Sequence, residues 1–440
     1  MHIGIYERLF FSIPGGAQNS GTQLANAMLA RGHKVSVFFH WDTEAAPVPF
    51  FPLAPGITLC ALNMSGSCNI AESDPFLPRN REAVLASGID VCIAMTYNAD
   101  MAACIAMLHT TGIPLLLSVR NCPERICRER WNAEEYYACM AAADRIQLLL
   151  PGFLAHYPAF LRENVRVIPN TMEAPCLDRE TARRNHAGKI LLGVGRFGES
   201  RKQFSLLITA FSLLAADFPD WKLLVCGDGK GKRLYEGMIR RLGLSRRVDL
   251  PGMIPDMTPY YSNADLFCIP SRYEGFPRVL LEAHNFGLPA VGFASCPGVN
   301  EIIIHGENGL LAEEMTAERL AAQLAMLMRD EDLRRRFGER ARDLCSRYAP
   351  EPVYDQWEDL LRETAACKGN TRLQSLPPLT EQQQAQARLW EILCRPTPVT
   401  RCNFRESLAE REQIQRIKQA WWYRLGRKLV LAKDWIQTCT

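Results

Sequence analysis

Short apolar runs alternate with longer amphipathic segments along most of the chain, and the order of the two repeats. A strand buried in a parallel sheet reads as a near-continuous apolar run. A helix packed on one face repeats its apolar positions every three or four residues. His2–Leu9 is the first apolar run, and it leads into Pro14-Gly15-Gly16. A helical stretch with Leu24, Ala27 and Met28 on one face follows, then Arg31-Gly32-His33 as its stop and a strand over Val35–Phe39. Pro47–Leu77 is proline-rich and irregular, with one strand at Ile57–Leu62. Further strands are predicted at Asp90–Met95, Pro114–Val119, Ile146–Leu150 and Val165–Ile168, with helices between them. Such an alternation predicts a doubly wound α/β domain over residues 1–171.

A polar segment runs to His186, and the same alternation then restarts. Strands are predicted at Lys189–Val194, Trp221–Gly227, Val248–Gly252, Leu266–Ile269 and Ala290–Phe293, with a last short one after the glycine-rich CPGVNE loop. A helix bearing Leu207, Phe211 and Leu214 follows the first of them, and Thr316–Tyr348 closes the set as helices. This gives a second doubly wound domain, 172–350. Residues 351–365 carry Val353, Trp357, Leu360 and Leu361 at helical spacing. Beyond them, 366–440 reads as a tail: a linker rich in Gln, Pro and Thr over Asn370–Gln386, then a basic amphipathic helix. There Trp422, Leu425, Leu429, Ala432 and Ile436 recur at steps of three and four, among Arg424, Arg427, Lys428 and Lys433. A helix of that kind lies in an anionic membrane interface or packs on its own enzyme, and both readings stay open.

The chemistry concentrates in Ala264–Val291. An apolar strand there delivers the loop Ser271–Gly275, a helix opens at Phe276-Pro277, and Gly287 with Pro289 stops it. Glu274 stands in the loop and Glu282 in the helix, about 12 Å apart if all eight steps were helical. Between them the first helical turn offers backbone N–H groups and the positive end of the helix dipole, a seat for phosphate. Two hydroxyl-binding carboxylates flanking an anion seat make a receptor for a nucleotide sugar. The same spacing also fits a crossover helix with two surface glutamates, and spacing alone does not decide. In GVGRFGESRKQ, Arg196 and Lys202 follow a strand end and read either as an anion site or as two solvated surface charges. GDGKGK reads mainly as a turn, and as a phosphate nest only in second place.

PSRYEGFP, VLLEA and GLPAV resemble the donor-binding signature of the retaining glycosyltransferases with the GT-B fold, family four. The resemblance extends over roughly residues 2–365 and is dense from Gly193 onward. It implies two Rossmann-like domains facing a cleft, with acceptor on the first and nucleotide sugar on the second. It gives Glu274 the hydroxyls of the donor sugar and Glu282 the ribose, with Gly275, Phe276, Val279 and Leu280 beside them. Arg196 and Lys202 become the cations that neutralise the departing diphosphate, and the following LLITAF favours Lys202 over Arg201 for that match. Ile254, in GMIPDM, contacts the nucleobase through backbone groups, and Gly15 and Gly16 face the diphosphate across the cleft. Residues 351–365 correspond to the helix that crosses back onto the first domain.

One departure stands out. Many family members carry a histidine near SVRNCPE, and this chain does not. Arg120 and Asn121 hold that strand end instead and are the candidates for acceptor binding, although Arg120 also has Glu124 as a prospective ion-pair partner. The implied activity is transfer of a hexose or N-acetylhexosamine, with retention, from a nucleoside-diphosphate sugar to a glycan or lipid-linked hydroxyl in surface polysaccharide synthesis. No cofactor and no metal are implied, and no DxD sits at a strand end. Another GT-B activity, an epimerase or a phosphorylase, and a non-catalytic binding scaffold are the alternatives.

Composition narrows the setting. The 440 residues are 48% hydrophobic, enough for two or three cored domains. A net charge of +3 gives no global field for nucleic acid. From Arg401 onward nine Lys/Arg stand against four Asp/Glu, so the surplus lies in the tail and the rest is close to −2. The 16 cysteines are scattered through apolar segments with no CxxC pair, which reads as a reduced cytoplasmic protein rather than a disulfide or zinc framework. No apolar run is long enough to span a bilayer. The expected location is the cytoplasm, or the inner face of the membrane if the tail engages lipid.

Overall fold

The computed structural model describes residues 1–11, 15–41, 47–62, 76–96, 102–123, 139–157, 159–172 and 188–367. Pro14, Glu124, the linker and the basic tail helix lie outside the described residues. The chain forms two compact units, Met1–Ile168 with the chain from Tyr354 onward, and Pro169–Val353. Each is built on a parallel sheet, in keeping with an α/β fold of two Rossmann-like domains.

The first unit holds β1 (His2–Tyr6), β2 (Lys34–His40), β3 (Thr58–Leu62), β4 (Val91–Thr96), β5 (Leu115–Val119), β6 (Arg145–Leu148) and β7 (Val165–Val167). Their order in the sheet is β3-β2-β1-β4-β5-β6-β7. The apolar run to Leu9 predicts a longer first strand than forms. The chain leaves the sheet after Tyr6, and the Phe10 amide turns back onto the Glu7 carbonyl at 3.1 Å. Glu7 is therefore placed just beyond the carboxyl end of β1, where the strand order reverses toward β4.

The helix Pro350–Ala365 buries Val353, Trp357, Leu360 and Leu361. Within the first unit Arg31 reaches Asp355 at 2.7 Å and Glu358 at 3.1 Å, and Arg166 reaches Glu363 at 3.1 Å. The exposed Arg166–Glu363 pair contributes about 1 kcal/mol at most, and the buried Trp357 and Leu361 faces hold the helix.

The second unit holds β8 (Lys189–Val194), β9 (Trp221–Cys226), β10 (Val248–Gly252), β11 (Leu266–Cys268), β12 (Ala290–Phe293) and β13 (Gly309–Ala312). The order is β10-β9-β8-β11-β12-β13, so the reversal falls between β8 and β11. Leu191, Leu192, Leu223, Val225, Phe267 and Val291 are fully or almost fully buried, as their apolar runs require. The helix Arg278–Asn285 stops where glycine permits: Gly287 has φ +69°, and the Leu288 amide returns to the Ala283 carbonyl at 3.0 Å.

Of the ten described cysteines, nine are buried. Among the described residues no helix is long and apolar enough to cross a membrane.

Candidate active site

Ligands of open α/β sheets bind outside the carboxyl ends of the strands, at the point where strand order reverses. In the second unit that point joins the loops after β8 and β11, two neighbouring strands paired through Leu191–Leu266 and Leu192–Phe267. The loop after β8 rests on the GDGKGK turn. The Phe197 amide bonds the Asp228 carbonyl at 2.8 Å. A Cβ on Gly227 would stand 1.9 Å from the Gly195 carbonyl oxygen, and one on Gly229 would stand 2.1 Å from that of Phe197. Glycine is required here by contact as well as by φ near +145°.

This loop aims Lys202 inward. Gln203, with φ +45°, is the one non-glycine residue among the described residues in the left-handed region. It directly follows Lys202 and starts the helix Phe204–Leu214. The Lys202 ammonium donates to Glu274 Oε1 at 2.7 Å, and the Ser271 hydroxyl donates to the same oxygen at 2.7 Å. Arg201 Nη1 donates to Glu274 Oε2 at 3.2 Å, and Arg201 Nε donates to Glu199 at 2.8 Å. Arg196 is half exposed and approaches Glu199 Oε1 at 3.4 Å.

Glu274 itself is buried, and its backbone is held by an amide bond to the Pro297 carbonyl at 2.9 Å. Burial pushes its carboxyl up, but the Lys202 and Arg201 cations outweigh burial and hold it below the usual carboxylate range. The structure thus brings Lys202 and Glu274 together. It also adds Arg201 and Ser271, which the sequence signals did not select. Arg196 reaches Glu199, which Arg201 also holds.

Glu282 lies half-buried on the helix Arg278–Asn285, where Tyr261 donates its phenol proton to Glu282 Oε2 at 2.8 Å. Burial first, and the neighbouring Glu282 second, push the Tyr261 phenol well above its ordinary value, so it remains a donor. The expected phosphate seat needs one correction. Pro277 is the cap rather than the first helical residue, and the Leu280 amide is returned to the Pro277 carbonyl at 3.0 Å. Leu280 is also fully buried, whereas Val279 is half-buried and the more open position of this turn.

Phe276 is likewise spent on packing, edge-on to Tyr348 at 5.5 Å, and Gly275 is buried beside Glu274. Ile254 is half-buried in the loop after β10. His284, buried, has Nε2 without a partner and is pushed down to about 3 by burial, which makes it a neutral core residue.

In the first unit Gly15 caps the helix Gly16–Ala30 with φ −166°, extended backbone that any residue adopts. A Cβ on Gly16 would meet nothing within 4 Å, so these glycines leave room rather than relieve strain. The Arg120 guanidinium lies over the Trp357 ring at 6.0 Å, and Asn121 follows at the same strand end.

Glu7 carries no signal in the sequence beyond a charge after an apolar run. Its Oε1 accepts from the Leu9 amide and from Gln18 Nε2, each at 3.3 Å, while Oε2 has no partner. Burial pushes its carboxyl up to about 8, against the Leu9 amide and the Arg120 and Arg8 charges.

Two units, each a doubly wound parallel sheet, match the GT-B fold. The profile for "Glycosyl transferases group 1" matches residues 177–344, and that for "Glycosyltransferase Family 4" matches residues 14–173. The chain belongs to the family-four glycosyltransferases of the GT-B fold.

Relatives extend along most of its length. An uncharacterized glycosyltransferase of Haemophilus influenzae is 25% identical over 351 residues, 79% of this chain and 96% of that protein. A Campylobacter jejuni α-1,4-N-acetyl-D-galactosaminyltransferase, named for a diNAcBac-PP-undecaprenol glycan, is 24% identical over 79% of this chain and 95% of its own. Among solved structures, an Anabaena protein in complex with UDP has a TM-score of 0.65 at 17% identity, covering 82% of this chain and 100% of that one.

Proposed function

We propose that this chain is a retaining, metal-independent glycosyltransferase. It moves a hexosyl or N-acetylhexosaminyl group from a nucleoside-diphosphate sugar to a hydroxyl of a glycan or lipid-linked acceptor. The observation that carries the proposal is the placement of Lys202 on Glu274, with Glu282 on the helix that follows. Similarity to a protein solved with UDP, and to one named for an undecaprenol-linked glycan, supports the choice of donor and acceptor.

An ammonium carries three N–H donors, and one of those on Lys202 is used by Glu274. The others are available to a diphosphate, so Lys202 bridges the leaving group to the carboxylate that reads the sugar. As the glycosidic bond breaks, charge accumulates on the diphosphate, and Lys202, with Arg196 from its exposed position, stabilises it. The acceptor hydroxyl enters on the same face and passes its proton to the departing phosphate oxygen. The protein contributes position and charge, and needs no dedicated base. Glu274, held ionised, accepts hydrogen bonds from sugar hydroxyls, and Glu282 does so from the ribose.

Thermal shift with UDP and GDP tests the reading, because a ligand of the native state raises apparent stability. Glu282→Ala should weaken the nucleotide that binds by about 1.5–3 kcal/mol in calorimetry. Unchanged affinity in a folded variant would remove Glu282 from the site. EDTA should leave the rate of nucleotide release unchanged. Loss of turnover on chelation, restored by a divalent ion, would end the metal-independent mechanism.

A further inference from the structure

We propose that Arg201 and Tyr261 are positioning residues for the two halves of the donor, Arg201 for the sugar half through Glu274 and Tyr261 for the nucleoside half through Glu282. The inference rests on the donor assignment of the preceding subsection.

Glu274 is fixed at both oxygens. Oε1 takes Lys202 and Ser271, each at 2.7 Å, and among the described residues Oε2 takes Arg201 alone, at 3.2 Å. The terminal torsion of a glutamate is broad, so a carboxylate held at one oxygen swings about that contact. Arg201 is the group that stops the swing, and it is itself anchored. Its Nε holds Glu199 at 2.8 Å, and its carbonyl accepts the Arg272 amide at 2.7 Å, which ties the β8 loop to the β11 loop. Its guanidinium is three-quarters buried at 24% side-chain exposure, whereas Arg196 is 55% exposed. A planar fork serves both glutamates at once, which an ammonium cannot reproduce.

Tyr261 does the corresponding work for Glu282. Its ring is 2% exposed and stacks on Phe286 at 5.5 Å, so the phenol has one direction available, toward Glu282 Oε2 at 2.8 Å and the Val279 carbonyl at 3.4 Å. The two networks have no member in common. Each glutamate therefore has its own holder, and the two holders can be removed separately.

The separation sets the experiment. The full-length protein and its Arg201→Gln, Arg201→Lys and Tyr261→Phe variants are titrated with UDP, UDP-glucose, UDP-N-acetylglucosamine, GDP and GDP-mannose by calorimetry. Melting temperature is recorded alongside. In Arg201→Gln, the nucleoside diphosphate that binds the wild type should keep its affinity within about twofold, while its preferred sugar nucleotide weakens about tenfold or more. Arg201→Lys should recover only part of that loss. In Tyr261→Phe, the diphosphate and its sugar nucleotide should weaken together, about three- to tenfold, with their ratio unchanged.

Equal weakening of both ligands by Arg201→Gln would place Arg201 on the diphosphate or in general scaffolding, and would overturn its assignment. Wild-type affinity of Arg201→Gln for the sugar nucleotide would overturn it too, and a changed ratio or wild-type affinity in Tyr261→Phe would overturn the Tyr261 half. A wild type that gains no affinity from any sugar would remove Glu274 from sugar recognition. A wild type that binds neither UDP nor GDP would overturn the donor site itself, a failure distinct from the others.

Discussion

Glu7 and Glu274 follow central strands of the two sheets and are buried to nearly the same degree, 0% and 5% exposed. Burial acts on both in the same direction, yet one carboxyl is pushed up to about 8 and the other is held below its ordinary range. The difference lies in contact geometry. Glu274 meets two cations and a hydroxyl within 3.2 Å. Glu7 has two neutral donors at 3.3 Å and a bare second oxygen, and Arg8 and Arg120 act on it only through space. Charge inside a protein is set less by depth than by what touches the group.

The two glutamates also give opposite slopes of stability with pH. The folded-state value of Glu7 is raised from 4.5, so its contribution is fully present below pH 4.5 and is lost as pH climbs through about 8. The value of Glu274 is depressed, so its contribution is present above 4.5 and is lost as pH falls through its lowered folded value.

Removing the cation that separates the two cases should have the largest effect. Lys202→Ala should lower kcat by about 100-fold or more, read as nucleoside diphosphate released from the sugar nucleotide. It should also leave Glu274 closer to the state of Glu7. A loss below about threefold would confine Lys202 to holding Glu274.

The converse change concerns stability. Glu7→Gln removes a carboxyl that resists ionisation, and should stabilise the fold at pH 8.5 by on the order of a few kcal/mol, with little change at pH 4.5. Urea unfolding at the two pH values checks this, and an equal shift at both would show that ionisation is not the cause. Smallest is Ser271→Ala, which removes one neutral donor from Glu274 and should cost about 0.5–1.5 kcal/mol of stability. The cations stay in place, so the acid-side slope should persist. Its disappearance in an unfolding series would transfer the charge argument from Lys202 to Ser271.

Much of the scaffold was legible because parallel strands announce themselves as apolar runs, and because glycine marks the places where backbone touches backbone. The pairs Gly195/Gly227 and Phe197/Gly229 explain why GVGRFG and GDGKG belong together. Lys202, Glu274 and Glu282 were singled out by resemblance, since spacing alone left them undecided between a ligand site and surface charges. Arg201 was hidden by its neighbour. Two adjacent basic residues look alike in one dimension, and only the tight turn Ser200–Lys202 shows that each reaches a different oxygen. Tyr261 and Ser271 were illegible for a similar reason: the partner of a hydroxyl is set by the fold and not by its neighbours in the chain. That the Leu280 amide is turned onto the Pro277 carbonyl was illegible too, because amide availability in a first helical turn depends on whether the chain tightens there.

The pairing of β8 with β11 has a consequence in time. Lys202 and Glu274 are 72 residues apart in the chain, and at ordinary synthesis rates the ribosome makes Lys202 roughly 4–15 seconds before its carboxylate. Three further strands and the crossovers between them must be ordered around that gap, at the loop-closure cost that makes parallel sheets slow to fold. The ion network therefore cannot form in a nascent chain that has not yet reached β11. Its assembly reports that β11 has docked, and nucleotide binding during refolding gives a late, native-specific clock for that event.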